Sequence, residues 1–254
     1  MTIIYPSPIF GPVHSRRLGI SLGINLQPGD GKVCSFDCIY CECGLNAERR
    51  PKQRRPAREA VAEALEEKLK EMAAGGEVPD VLTFAGNGEP TGHPEFLNII
   101  RDTIALRDRY CPNAKVSVLS NATFCGRPDV HEALMLVDNN ILKLDTVNDE
   151  YIRLVDRPTS SAYNVKDVIE WMKAFDGHCI VQTMFMRMDG VPNTGDEYVN
   201  PWLDALQYIS PQQVMIYTID RETPVNTLGK ATPEELNAIR DRVIAAGIPC
   251  SASY

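Results

Sequence analysis

Three cysteines fall within the eight residues CSFDCIYC, at positions 34 to 41. Cys34, Cys38 and Cys41 are separated by three and then by two residues, so one short loop can direct three sulfur atoms at a common centre. Thiolates are soft ligands that bind zinc or iron–sulfur clusters. A four-iron cluster usually takes four cysteines, and three would leave one iron open to a substrate or cofactor. The loop spanning residues 29–43 is therefore the predicted metal site.

The spacing separates this loop from other cysteine motifs. Zinc ribbons use paired CxxC motifs and bacterial ferredoxins use CxxCxxC runs, and neither arrangement occurs here. Cys43 is an alternative fourth ligand that would close the cluster, although one intervening residue after Cys41 strains chelation of a separate iron. A third interpretation, buried structural thiols, suits the loop poorly because Gly29 and Gly31 precede it and its other residues are largely polar.

Alternating strand and helix patterns surround the cysteine loop. Apolar stretches predict six strands, near residues 19, 81, 115, 141, 180 and 214. Between them, apolar residues recur at the helical period; in residues 56–73, for example, Val61, Leu65, Leu69 and Met72 form one stripe. Repeated strand–helix units with short connections predict a parallel sheet with right-handed crossovers.

The length and the connections indicate one α/β domain. The chain has 254 residues and no stretch with the composition of a linker, so residues 1–254 form a single predicted domain whose C-terminal part completes the sheet and the substrate side. Periodicity does not distinguish a partial barrel from a doubly wound open sheet. In both architectures ligands bind at the C-terminal ends of the strands, and the cysteine loop follows the first strand.

The fourth predicted strand carries two charged residues on one face. Lys143 and Asp145 alternate with Leu142 and Leu144, so both charged side chains point the same way. A lysine and an aspartate directed into a barrel are costly unless they pair with each other or meet a ligand. Both interpretations stay open. In the second, Lys143 and Asp145 belong to the catalytic site together with the cysteines.

The cysteine motif, with Tyr40 directly before its last cysteine, resembles that of the radical S-adenosylmethionine (SAM) superfamily. The segment GNGEP at residues 86–90 is similar to the GGEP element of the same family, with Asn87 in place of a glycine. The resemblance implies a partial, laterally open (β/α)6 barrel of the TIM type. It also implies that the three loop cysteines hold a [4Fe-4S] cluster.

Roles for the other residues follow from the resemblance. The open iron would bind the amino and carboxylate groups of SAM, Tyr40 would lie near the adenine, and the segment 86–90 would contact the amino group. Lys143 is then a candidate partner for the carboxylate, and Asp145 for the ribose or the substrate. The full set of predicted cofactor contacts is Tyr40, Gly86, Asn87, Gly88, Glu89, Ser120, Asn121, Lys143, Asp145 and Gln182.

The function that the resemblance implies is radical chemistry of the oxidoreductase or transferase type. An electron from a donor such as flavodoxin or ferredoxin would cleave SAM to methionine and a 5'-deoxyadenosyl radical, which abstracts hydrogen from an unidentified substrate. Two alternatives stay open. One is an activase of a glycyl-radical enzyme, and the other is a non-enzymatic iron–sulfur electron-transfer protein with Cys43 as fourth ligand.

Three further segments resemble one group of proteins within the family, but they do not identify the substrate. GPVHSRRLG before the cysteines, LDTVNDE after the fourth strand and YTIDRETP after the sixth are similar to the small proteins grouped with the wyosine tRNA-base-forming enzymes. The archaeal wyosine enzymes carry further cysteines upstream, whereas this chain has none before Cys34. The substrate is therefore left as a small molecule, a peptide or tRNA.

Composition limits the partners. The net charge of −8 provides no general attraction for nucleic acid. The run RRPKQRRPAR at residues 49–58 is a local exception, interpreted either as a solvated surface or as a contact for an anion or an RNA phosphate. No apolar run of about 18 residues and no secretory leader is present, so a cytoplasmic protein without membrane contact is predicted, with its eight cysteines as ligands or buried thiols.

Overall fold

Strands and helices alternate along most of the chain. The structure, a computed structural model, describes residues 2–15 and 19–254. The strands are β1 (Ile9–Ser15), β2 (Gly19–Ile24), β3 (Val81–Phe84), β4 (Lys115–Ser120), β5 (Asn139–Lys143), β6 (Ile180–Met184), β7 (Met186–Met188), β8 (Val191–Pro192), β9 (Gln213–Tyr217), β10 (Leu228–Lys230) and β11 (Cys250–Ser253). The helices are α1 (Arg58–Ala74), α2 (Phe96–Tyr110), α3 (Pro128–Leu136), α4 (Asp149–Val155), α5 (Val165–Lys173), α6 (Asp196–Ile209) and α7 (Pro233–Ala245), and a 3₁₀ turn covers Pro90–Gly92.

Eight strands form one sheet, in the order β1-β2-β3-β4-β5-β6-β9-β11. Each neighbouring pair from β2 to β11 is parallel, and β1 pairs with β2 in the antiparallel direction. Within the described residues the two outer strands, β1 and β11, do not pair with each other, so the sheet is open. The predicted α/β class and the laterally open, partial barrel are confirmed. A small separate sheet, in the order β10-β7-β8, follows β6.

The six predicted strands correspond to β2, β3, β4, β5, β6 and β9, which are neighbours in that order. The structure adds two edge strands that the sequence pattern did not predict. β11 has the sequence CSAS, which is too small and polar to show an apolar pattern, and β1 contains Gly11 and Pro12, which interrupt its alternation. Arg16 and Arg17, which belong to the segment GPVHSRRLG, fall outside the described residues.

The helices pack their apolar stripes against one side of the sheet. In α1, Val61, Leu65 and Leu69 are at most 1% exposed, as the periodicity predicts. Each such side chain contributes about 1.5–3 kcal/mol when it leaves water. Because the helices cover one face of parallel strands, the C-terminal strand ends are left to form a site. The described part of the chain has no helix that is both long and apolar enough to cross a membrane.

The cysteine loop crosses the C-terminal edge of the sheet, held by backbone hydrogen bonds on both sides. Val33 N donates to Asn87 O (2.9 Å) after β3, and Ile39 N donates to Val155 O (2.9 Å) at the end of α4. The side chain of Ile39 is buried in a small apolar cluster with Val155. The loop is therefore anchored to two different strand–helix units, which determines where its thiols lie.

Candidate active site

A cleft of about 190 Å³ opens at the C-terminal strand ends, beside the cysteine loop. Its lining brings together residues from the loop and from five strand–helix units. The lining residues are Cys34, Phe36, Cys38, Tyr40, Cys41, Gly86, Gly88, Glu89, Leu119, Ser120, Asn121, Lys143, Gln182 and Tyr217. Of the residues predicted from the sequence, Asn87 and Asp145 are outside this lining.

Cys34 and Cys38 each have a side-chain nitrogen donor beside the sulfur atom. Asn121 Nδ2 lies 3.6 Å from Cys34 Sγ, and Lys143 Nζ lies 2.9 Å from Cys38 Sγ. Burial raises the pKa of the Cys34 thiol to about 12 and the pKa of Cys38 well above its usual value, so both are protonated at neutral pH without metal. Metal binding must displace these protons. N–H donors beside sulfur are also the groups that tune iron–sulfur clusters.

Cys43 occupies a different position from the other three. Its side chain is buried outside the cleft lining, and its Sγ donates a hydrogen bond to Gly86 O at 3.3 Å. The neighbouring thiol of Cys43, its backbone N–H and the charge of Lys32 outweigh burial and lower the pKa of Cys41 to about 6. The fourth thiol thus supports Cys41 rather than facing the cleft.

The donor set fits a cluster better than a single ion. Within residues 2–15 and 19–254, no three His, Cys, Asp or Glu side chains converge as the ligands of one metal ion do. A four-iron cluster instead takes one thiolate at each of several irons, so its ligands stand further apart. Cys34, Cys38 and Cys41 border one cleft without converging on a point. This arrangement suits a cluster with three protein ligands.

Glycine is required where the segment after β3 passes under the cysteine loop. Gly88 has φ +131°, and a Cβ there would lie 1.9 Å from Val33 O. Between the two lining glycines, the Asn87 amide accepts from Tyr5 N (2.8 Å) and donates to Tyr5 O (2.8 Å) and Pro28 O (2.9 Å). Asn87 therefore fastens the N-terminal segment beneath the site. Its backbone is engaged as well, because its N donates to Asn25 Oδ1 and its O accepts from Val33 N, so its cofactor contact stays a prediction.

Glu89 joins the ends of β3 and β4. Its Oε1 accepts from Thr91 N (3.1 Å), Thr91 Oγ1 (2.5 Å) and Ser120 Oγ (2.8 Å), and its Oε2 accepts from Asn121 N (2.7 Å). Burial raises the pKa of this carboxyl, and the hydrogen bonds partly oppose that rise. Because four donors surround the carboxylate, Glu89 positions Ser120 and Asn121 at the floor of the cleft.

Lys143 is the cation of a buried charge cluster. Its Nζ lies 2.6 Å from Asp156 Oδ1 and 3.3 Å from Asp145 Oδ2, and 4.6 Å above the centre of the Tyr40 ring. The Tyr40 hydroxyl donates to the Asp145 carboxylate. Two carboxylates share one ammonium, so burial and the neighbouring Asp145 raise the pKa of Asp156 to about 7, against the opposing charge of Lys143.

Asp156 is the member of this cluster that sequence analysis missed. It directly follows α4, a short helix in no recognisable motif, and only folding brings it to β5. Asp145 is also held by β6, because its Oδ1 accepts a hydrogen bond from Met184 N at 2.9 Å. The sequence left open whether Lys143 and Asp145 pair with each other or meet a ligand. In the structure the two side chains pair, and Lys143 also lines the cleft.

The far wall of the cleft comes from β6 and β9. Gln182 pairs in register with Lys143 and lines the cleft, where its contact with a cofactor stays a prediction. Tyr217 ends β9 and also lines the cleft. Burial raises the pKa of the Tyr217 hydroxyl, which therefore stays neutral and can act as a hydrogen-bond donor.

Comparison with known proteins supplies independent evidence of the family to which the chain is similar. The family model described as the radical SAM superfamily matches residues 30–206. The UPF0026 protein of Helicobacter pylori strain J99 is 31% identical over 215 residues, which cover 84% of this chain and 66% of that protein. GTPase Obg of Brachyspira hyodysenteriae is 30% identical over 230 residues, covering 89% of this chain. The chain spans only 32% of the length of this second relative.

Solved structures share the fold. A radical SAM methyltransferase from Sphaerobacter thermophilus has a TM-score of 0.67 at 16% identity, with 92% of this chain and 66% of that chain covered. SuiB of Streptococcus suis, bound to S-adenosylmethionine, has a TM-score of 0.64 at 15% identity, with 91% of this chain and 50% of that chain covered. At these identities the likeness shows the fold alone.

Proposed function

The chain belongs to the radical SAM superfamily, and on that premise we propose that it is an enzyme in which Cys34, Cys38 and Cys41 hold a [4Fe-4S] cluster beside a bound SAM. The observation that carries the proposal is that the three thiols border one cleft together with the strand-end residues. When bound, the reduced cluster and SAM supply a one-electron cleavage to methionine and a 5'-deoxyadenosyl radical, which abstracts hydrogen from the substrate.

The chain's own residues bind and orient the methionine end of SAM. Gly86 and Gly88 line the cleft with backbone. Because Gly86 O already accepts from Cys43 Sγ and Gly88 N, the Gly88 carbonyl is, within the described residues, the one left to accept a hydrogen bond from an ammonium group. Lys143 offers the one lysine ammonium in the cleft lining, and a bound carboxylate would share it with Asp145, Asp156 and Cys38 Sγ. Asp145 and Asp156 raise the pKa of Lys143 well above its usual value although burial opposes this, so the ammonium stays charged.

Glu89 has a positioning role in this proposal. Both of its oxygens are occupied by donors from Thr91, Ser120 and Asn121. The carboxylate thereby holds Asn121 so that its side-chain amide reaches Cys34 Sγ, 3.6 Å away. Glu89 thus acts on the site through Asn121.

The aromatic part of the cleft, against which Lys143 Nζ lies, is suited to an adenine and to a reactive species. Tyr40 and Phe36 present aromatic rings to the cleft, and Leu119 adds an aliphatic wall. Aromatic faces stack on a nucleobase, and apolar walls exclude water that would otherwise react in place of the substrate. The substrate then enters from the side of Gln182 and Tyr217, opposite the cysteine loop.

Anaerobic reconstitution tests the proposal. The protein should bind about four irons and four sulfides per chain, and its reduced cluster should give an electron paramagnetic resonance signal that changes when SAM is added. Dithionite with SAM should then yield 5'-deoxyadenosine and methionine in equal amounts. Colourless, zinc-loaded protein, or a cluster signal indifferent to SAM, would contradict the assignment.

A further inference from the structure

Two hollows lie on the outer side of the cysteine loop, away from the cleft. The first, of about 420 Å³, is lined by Lys32, Cys34, Asn46 and Arg50, among others. Cys34 borders both this hollow and the cleft, so one predicted cluster ligand is reached from two sides of the loop. An electron donor seated in this hollow would therefore approach the cluster without entering the substrate side.

The second hollow, of about 280 Å³, is largely apolar. Phe124, Pro158, Tyr163 and Trp171 form its walls, and Ser35 joins it to the cysteine loop. Thr159 lines both hollows, so the two are continuous across the loop. We call this combined surface, the linings of the two hollows, the outer face.

Arg50 lines the first hollow, and Lys52 and Arg54 follow it within four residues of the chain. Arg50, Lys52 and Arg54 are exposed, and within residues 2–15 and 19–254 their side chains have no hydrogen-bond or ion-pair partner. Other cations of the same run are engaged, because Arg55 donates to Gln27 and Gly92 O, and Arg58 pairs with Asp102. Exposed cations that form no internal pair remain available to an acidic partner.

Two acidic side chains near these cations, Asp37 and Asp30, already accept hydrogen bonds. Asp37 accepts from Asn46 N (2.7 Å) and contacts Lys32 Nζ (3.4 Å). Asp30 accepts from Lys52 N (2.9 Å) and Gln53 N. Asp167, in the lining of the second hollow, is the acidic group that remains exposed on the outer face. Residues 48–55 hold five Arg and Lys side chains against Glu48 and the nearby Asp30, so the segment next to the first hollow carries net positive charge although the whole chain carries −8.

We propose that the outer face is the docking site of an acidic, flavodoxin-type electron donor. The proposal rests on the proposed function, because it assigns the route by which the cluster receives its electron. Arg50, Lys52 and Arg54 attract the acidic carrier, and the apolar hollow receives the exposed apolar edge of its flavin. One electron passes from the reduced flavin, which loses one electron, to the oxidised cluster, which gains one.

The same cations favour an acidic protein over RNA. Extended RNA needs a broad basic surface, whereas the densest basic run of this chain, residues 49–58, is one short segment in a protein of net charge −8. A weak electron-transfer encounter needs only a small patch, under about 1,200 Å² in total. A small apolar centre beside a charged rim is suited to such a transient complex.

Charge reversal with a matched control tests the docking site. Arg50→Glu/Arg54→Glu is compared with Lys173→Glu/Lys230→Glu, which makes the same charge change at exposed sites outside the outer face. Binding of a recombinant bacterial flavodoxin to each reconstituted protein is measured by calorimetry at several salt concentrations. Binding should weaken about tenfold or more in the first variant, lose its salt dependence, and stay within about twofold in the control.

A chemical reductant separates this proposal from the proposed function. SAM cleavage driven by dithionite should be equal in wild type and both variants, whereas cleavage driven by reduced flavodoxin should fall only in Arg50→Glu/Arg54→Glu. Unchanged flavodoxin binding in Arg50→Glu/Arg54→Glu would overturn the docking site. It would also be overturned if this variant lost only tRNA binding, or if the wild-type protein accepted electrons only from a ferredoxin. Failure of dithionite to drive cleavage in wild type would instead refute the proposed function.

Discussion

Lys143 Nζ lies 2.6 Å from Asp156 Oδ1, and this contact joins β5 to the end of α4 directly beside the cysteine loop. The side chains of Lys143 and Asp156 are 14% and 3% exposed. The same ammonium also approaches Asp145 Oδ2 at 3.3 Å. Removal of one member of such a cluster leaves buried charge without a counterion, which costs more than the intact pair contributes.

Lys143→Met should therefore destabilise the metal-free protein by about 3–5 kcal/mol. The change leaves Asp145 and Asp156 facing each other without a cation. Urea unfolding monitored by circular dichroism measures the loss. Lys143→Met/Asp156→Asn removes one carboxylate as well, and should recover part of that stability. Equal stability of wild type and Lys143→Met would show that the cluster is not structurally coupled.

Glu89→Gln should destabilise the protein by about 1–3 kcal/mol at pH 7. The four atoms around the carboxylate are all donors, so an amide nitrogen in place of one oxygen meets another donor and leaves both unpaired. Glu77→Gln, at an exposed position, is the control and should have no effect. Thermal and urea unfolding compare the two, and similar curves for both variants would contradict the buried acceptor role.

Gly88→Ala should displace the cysteine loop. The added Cβ would meet Val33 O at 1.9 Å, and backbone cannot move aside as a side chain can. We expect a large loss of iron bound per chain after reconstitution. Gly76→Ala is the control, because Gly76 also has positive φ (+79°) but has nothing within 4 Å of its Cβ position. It should cost about 1 kcal/mol of stability and leave iron binding intact.

The cysteines should divide three to one. Cys34→Ala, Cys38→Ala and Cys41→Ala should each abolish reductive cleavage of SAM, since each removes a proposed cluster ligand. Cys43→Ala should retain the cluster and the cleavage, because its Sγ bonds to Gly86 O outside the cleft. Iron content and 5'-deoxyadenosine formation are measured for all four. Loss of both in Cys43→Ala would indicate a fourth ligand.

Asp138 should contribute to stability in a defined pH range. Burial opposes its ionisation, but a hydrogen bond from Val116 N and the charges of Lys115 and Arg107 outweigh burial and lower its pKa below 3.8. A lowered carboxyl pKa stabilises the fold above the unfolded value of about 3.9, and this contribution disappears as pH falls through the folded pKa. Asp138→Asn should therefore lower stability at pH 6 and change it little near pH 2. Urea midpoints across this range measure the difference.

Much of the fold was predictable because its signals are local. The six predicted strands and the stripe of α1 depend on residues close together in the chain, and the structure contains them in the predicted order. The edges were not predictable in this way. β11 is a strand because it pairs in parallel register with β9, not because CSAS favours extended structure.

In the site, too, the local motifs were predictable from the sequence and the long-range contacts were not. The spacing of Cys34, Cys38 and Cys41 lies within eight residues, and Gly88 is recognisable by its short motif. The contact of Asp156 with Lys143 joins two short elements through tertiary packing, and no motif marks it. Asn87 stands in the motif, yet its side chain turns to Tyr5, a residue 82 positions away.

The sequence alone determined the ligand chemistry and the alternation of strands and helices, because both depend on residue types at short spacings. Tertiary structure decided which side chains share the cleft, which are turned into the supporting network, and which cations of the run 49–58 remain unpaired. Those outcomes depend on where distant strand ends meet and on which donors are already occupied, and neither is encoded in any single stretch of the chain.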